Sequence, residues 1–205
     1  KEIISKTAFY AVAVFIATVV EIPGRAMFQI VNPLVAKALN ENNEKELESL
    51  YKKSSLNLLV VSGLFFLLIN LNVDSFYNLI LDYSYSTAIS VVLIISISKL
   101  ILMSFGCGPA ILATAKFYKI TLPFSILMAV SVYVLNDKLI DLYSINGAAL
   151  STLIVISFFT ICKIIYLKYK LNIVPYSYNT LKVFVLIVFL FFLVNLLDFG
   201  DKYLV

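Results

Sequence analysis

The chain has 205 residues, of which 61% are hydrophobic and 14% charged, with a mean hydropathy of +0.98 and a net charge of +4. A water-soluble domain holds about half apolar and about a quarter charged residues, so this balance excludes a water-facing globule and predicts an all-α integral membrane protein. With no histidine, a histidine triad and a His-ligated metal are excluded, and the scattered lysines offer no basic face for nucleic acid.

A helix needs about 20 residues to cross about 30 Å of hydrocarbon. Six apolar segments reach that length, at approximately 7–39, 54–71, 84–106 (or on to 116), 119–136, 145–167 and 179–197. They are continuous apolar runs rather than alternating ten-residue units, which argues for helices and against a barrel.

The first span carries the main anomaly. Val19-Val20-Glu21-Ile22-Pro23-Gly24-Arg25 sets two charges and a proline inside an apolar stretch, and Pro33 follows. At about 100° per residue, Thr18, Glu21, Arg25, Gln29 and Asn32 share one narrow face. A charge facing lipid costs about 3 kcal/mol or more, so this stripe is expected to face a bundle interior or a wet cavity. Glu21 and Arg25, four residues apart, can neutralise each other. Pro23 and Pro33 each remove a backbone hydrogen bond and permit a bend. Two readings stay open. One is a structural ion pair with Arg25 reaching the cytoplasmic interface. The other is a cavity wall on which Arg25 meets an anionic substrate while Glu21 orients it or takes a coupling cation (H+ or Na+).

Between the first two spans, Glu44–Lys53 keeps Leu47, Leu50 and Tyr51 on one stripe and predicts a helical extension lying at the interface; 73–81 repeats the pattern beyond the second span. In the third span Lys99 either reaches the inner interface or adds a second positive charge to the same cavity. Gly106-Cys107-Gly108-Pro109 then marks a hinge or the end of that span. Cys107 and Cys162 are widely separated and read as buried thiols. Gly147 and Ser151 open the fifth span with a small-xxx-small pair suited to close helix packing.

Loop charge sets an orientation. The first, third and fifth loops hold Lys37, Lys45, Lys52, Lys53, Lys116, Lys119, Lys163, Lys168, Lys170 and Lys182, whereas the other loops and the two ends hold Lys1, Lys6, Lys138 and Lys202 with most of the aspartates. The positive-inside rule makes the odd loops cytoplasmic and both ends external. A chain that begins at Lys1 with an external first end and no cleavable signal pattern is expected to be a piece of a longer protein.

Glu21-Ile22-Pro23, Asn32-Pro33-Leu34-Val35-Ala36-Lys37, Leu50-Tyr51-Lys52-Lys53-Ser54-Ser55 and Ser144-Ile145-Asn146-Gly147-Ala148-Ala149-Leu150-Ser151-Thr152 occur in an order that resembles the C-terminal half of the Wzx-type polysaccharide-export flippases. These belong to the multidrug/oligosaccharidyl-lipid/polysaccharide exporter superfamily. The resemblance covers nearly the whole chain and implies a six-helix transmembrane bundle, one lobe of a transporter of roughly twelve to fourteen helices. It also implies movement of undecaprenyl-pyrophosphate-linked oligosaccharide across the bacterial inner membrane by alternating access, serving capsule, O-antigen (lipopolysaccharide) or exopolysaccharide assembly. On this reading the partner is the N-terminal lobe, there is no cofactor or metal, and the chain is a transporter rather than an enzyme. Arg25, Glu21, Gln29, Asn32 and Lys99 would meet substrate, and Pro23, Pro33, Gly106, Gly108 and Pro109 would serve as hinges. Thr18 stands where lipid II flippases of the superfamily usually carry arginine, and Ser144 and Asp141 stand where the family often has glycine and proline. A cation-coupled drug antiporter is the alternative within the superfamily. A membrane glycosyltransferase or O-antigen ligase is a third reading, against which the short outer loops count.

Overall fold

The structure, a computed structural model, describes residues 2–80, 88–114 and 117–201. Helix α1 (Glu2–Thr18) passes through a 3-10 turn (Val19–Glu21) into α2 (Ile22–Asn40). Then come α3 (Glu44–Ile80), α4 (Ile89–Ser104), the short α5 (Gly108–Ala113), α6 (Tyr118–Tyr143), α7 (Ile145–Leu171) and α8 (Tyr178–Asp201), with no strand among the described residues. Among the described residues, five helical stretches are long and apolar enough to cross a membrane: Thr7–Asn40, Glu44–Tyr77, Tyr118–Tyr143, Ile145–Leu171 and Tyr178–Leu197; Ile89–Ser104 is a shorter apolar helix. The chain is an all-α membrane bundle, as its composition predicts.

Helix α4 is the hub, packed against α1, α3 and α7, while α6 leans on α7 and α8 on α3. The buried side chains form three groups. One gathers Ala13, Ala17, Val73, Tyr77, Val91, Val92, Ile95 and Ala149. The second holds Val20, Leu59, Phe66, Leu100 and Ile187. The third holds Val35, Ala38, Leu47, Tyr51, Phe105, Ile111, Leu112 and Leu167. Small residues such as Ala13, Ala17 and Ala149 let backbones approach where no water drives association. Large side chains including Phe15, Leu122, Ile126, Phe158, Leu186 and Phe192 point outward instead, the pattern of a surface solvated by acyl chains.

The structure redraws several boundaries. The segments expected as an interfacial extension (44–53) and an outer connector (73–81) are, through Ile80, parts of one helix with the second span; residue 81 lies outside the described residues. Nothing in that stretch breaks the ladder, and a helix tolerates its one glycine, Gly63. At 1.5 Å per residue α3 is about 55 Å long, so its ends overrun the hydrocarbon. The apolar stripe of 44–53 docks on protein rather than on the membrane interface: Leu47 and Tyr51 are buried beside Phe105 and Leu167. In the third span, 84–87 lie outside the described residues, and the described helix is Ile89–Ser104. The fourth and fifth spans extend to Tyr143 and Leu171.

Left-handed backbone closes several helices. Asn42 (φ 50°) and Asn172 (φ 53°) follow α2 and α7, positions where asparagine substitutes for the usual glycine. Ser144, with φ 54° and ψ −131°, makes the abrupt turn from α6 to α7. That turn folds α7 back so closely that a Cβ on Gly147 would lie 1.9 Å from the Leu139 carbonyl oxygen. The Ser151 hydroxyl donates to the Asn136 side chain across the same hairpin, and the Ser90 hydroxyl donates to Asn146 Oδ1 at 2.8 Å, tying α7 to α4.

Candidate functional site

The 3-10 turn falls where the proline chemistry predicts a break. Pro23 occupies the first turn of α2, a position that tolerates its missing N–H. The Ile22 N–H turns back to the Val19 carbonyl, and the Thr18 hydroxyl donates to the Phe15 carbonyl at 2.6 Å. These bonds satisfy backbone groups near the break. By contrast, α2 runs on through Pro33 without interruption.

Glu21 is the last residue of that turn. Its Oε2 accepts a hydrogen bond from Lys99 Nζ at 2.8 Å. Arg25 Nη2 lies 3.8 Å from Oε1, an ion pair without hydrogen-bond contact. The three side chains differ sharply in exposure: 20% for Glu21, 19% for Lys99 and 74% for Arg25. Two cations on one carboxylate leave one positive charge in excess. Val20 and Leu100, the chain neighbours of Glu21 and Lys99, both lie in the buried group that also holds Leu59 and Phe66. The ionic cluster therefore sits at the level of packed apolar side chains.

Lys99 reaches across from α4 to Glu21, so its charge joins the Glu21–Arg25 pair. Gly24 explains how α2 comes so near: a Cβ there would lie 2.7 Å from Met103 Sδ. The contacts Glu21–Lys99 and Gly24–Met103 advance together along both segments, so α2 and α4 run in the same direction.

The first span has three faces. Ala13, Ala17, Val20, Gly24, Val31, Val35 and Ala38 are buried. Phe15, Ile22 and Ile30 form an exposed apolar side. Arg25, Gln29 and Asn32 lie between them and are exposed, and the side chains of Gln29 and Asn32 make no hydrogen bond to any described residue. Glu21 stands at the edge of this polar strip nearest the core, which is why it alone finds a partner on α4.

The second break lies at the end of α4. After Ser104, residues 105–107 turn the chain into α5, with Gly106 at φ 59° and Gly108 and Pro109 opening the new helix. Two buried serines of α3 accommodate this interruption. Ser55 Oγ donates to the Ser104 carbonyl at 2.6 Å, and Ser54 Oγ accepts from the Cys107 N–H at 2.9 Å. Irregular backbone inside a membrane protein persists where such partners replace the helix's own bonds. The sequence marks the break through its glycines and proline, but not the serines that stabilise it.

A cleft of about 630 Å³ lies elsewhere, between α3, α4, α7 and the start of α8. Leu59, Ile101, Phe184, Ser104, Tyr176 and Thr180 line it, and the Ser104 and Tyr176 hydroxyls sit 3.1 Å apart. No sequence signal points to it, because its walls come from four separated segments. Among the described residues no group of three His, Cys, Asp or Glu side chains is placed to hold a metal ion.

Fold and site together define a multi-pass helical membrane protein with an ionic cluster at a broken helix. No known protein-family model, curated protein or solved structure matches the chain.

Proposed function

We propose that this chain is one lobe of a transporter that moves a lipid-linked, pyrophosphate-bearing oligosaccharide across a bacterial inner membrane. The first span would form the wall of its hydrated pathway. The observation that carries this reading is the Arg25 guanidinium, 74% exposed beside a half-buried Glu21–Lys99 pair.

An arginine turned toward acyl chains at that level costs about 3 kcal/mol on insertion scales. Its neighbours Gln29 and Asn32 are exposed as well. A strip of that kind is stable against water or against a second protein surface. Arginine's planar fork, with five N–H donors and no hydrogen bond to Glu21, suits the oxygens of a phosphate. Offsetting phosphate charge is the central physical task in moving such a lipid through hydrocarbon. The N-terminal lobe would supply the facing wall, and rocking between the lobes would supply alternating access.

The antiporter reading needs Glu21 free to take a coupling cation, and Lys99 already occupies one of its oxygens. That favours the anion-facing role for Arg25. The test is Arg25→Ala in the whole protein in its native cell, with Arg25→Lys beside it. Arg25→Ala should abolish surface polysaccharide while membrane abundance stays at the parental level, and Arg25→Lys should retain a part. Normal polysaccharide in Arg25→Ala cells would end the proposal.

A further inference from the structure

We infer that Lys99 is a positioning residue: by holding Glu21 from across the bundle, it keeps the Arg25 guanidinium free for an anionic phosphate ligand. The ligand named here rests on the transporter reading; the competition for Glu21 does not.

The geometry shows one carboxylate between two cations held very differently. Lys99 comes from α4, the enclosed hub of the bundle, and makes the short contact of 2.8 Å. Arg25 comes from the same helical segment as Glu21, one turn on, and stops at 3.8 Å. A long, exposed side chain closes such a gap by changing rotamers alone. Glu21 already has a charge-assisted hydrogen bond, roughly twice as strong as a neutral one, and the Lys99 charge on Oε2 lessens the pull that Oε1 exerts on a second cation.

Take Lys99 away and a half-buried carboxylate loses that bond. Its nearest cation is then Arg25, whose fork can grip both oxygens. Arg25 would fold back on Glu21, and the cluster's excess charge would fall from one to zero. Removing both Glu21 and Lys99 charges restores an excess of one and leaves Arg25 with no competitor. Lys99 therefore acts on the ligand through Glu21 and Arg25 without touching it, which separates this role from a second anion-binding lysine.

Arg25 is the only arginine in the chain, so its availability can be read chemically without transport. The whole protein in detergent micelles is treated with phenylglyoxal, and modification of the Arg25 peptide is followed by mass spectrometry, with and without inorganic pyrophosphate. Lys99→Met should slow modification several-fold. Lys99→Arg and the double variant Glu21→Gln/Lys99→Met should return to the parental rate or above. Unfolding would speed modification, so slowing cannot come from a damaged fold. A Lys99→Met rate equal to or above the parent's overturns the inference, as does a double variant as slow as Lys99→Met. Protection by pyrophosphate in the parent and the double variant, but not in Lys99→Met, supports the ligand class too. The same rate pattern without protection keeps the positioning role and removes phosphate as the ligand.

Discussion

Gly106→Ala tests how the α4–α5 break is held. Gly106 has φ 59°, and a left-handed residue with a side chain costs about 1–2 kcal/mol. The new Cβ would also lie 2.6 Å from the Ser55 amide nitrogen and 2.9 Å from its Cα. Those are backbone atoms of α3, so no rotamer change relieves the clash and α3 must recede. Recession stretches the Ser55–Ser104 and Ser54–Cys107 hydrogen bonds, each worth about 0.6 kcal/mol in a membrane bundle. The combined loss is about 3 kcal/mol, measurable as reversible unfolding in mixed micelles on titration with a denaturing detergent. Ser55→Ala provides the control: it removes one hydrogen bond without altering the turn, and should lose about 0.6 kcal/mol. Gly106→Ala stability within about 0.5 kcal/mol of the parent, the ordinary surface range, would refute both the turn geometry and the close approach of α3.

Ser144→Gly should stabilise the protein by about 1 kcal/mol in the same titration, because glycine adopts φ 54° without the Cβ strain that serine bears; a loss would contradict that turn. Gly147→Ala should be among the most damaging single-methyl changes, since its Cβ meets the Leu139 carbonyl rather than a movable side chain; a parental unfolding midpoint would refute the tight α6–α7 hairpin. In a cysteine-free background, Gln29→Cys and Asn32→Cys should react with a membrane-impermeant maleimide in the whole protein, while Ile22→Cys and Ile30→Cys should stay unlabelled. Equal labelling of all four would remove the distinction between a wet strip and a lipid face.

How far the residues alone foretold this arrangement depends on the distance over which each feature is decided. Pro23 acts on the turn before it, and a 3-10 turn stands at Val19–Glu21; Gly106 and Pro109 likewise mark the end of α4. The helical character of Glu44–Lys53 follows from its own periodicity. Whether its apolar stripe meets headgroups or protein does not, because that depends on Phe105 and Leu167, far away in the chain. Glu21 and Arg25 were visible as a pair from their spacing. The stronger partner, Lys99, lies 78 positions off and is brought in by the Gly24–Met103 approach, which no local pattern encodes.

Helix α6 illustrates what loose attachment means in a bilayer. None of its side chains is buried, and it packs principally against α7. At about 1.5 Å per residue it is about 39 Å long, longer than the hydrocarbon it crosses. A rod fastened along one side adjusts its tilt to the thickness of the surrounding leaflets. The enclosed α4 has little lipid to follow, so thinner or thicker bilayers should tip α6 while the ion-bearing centre keeps its register.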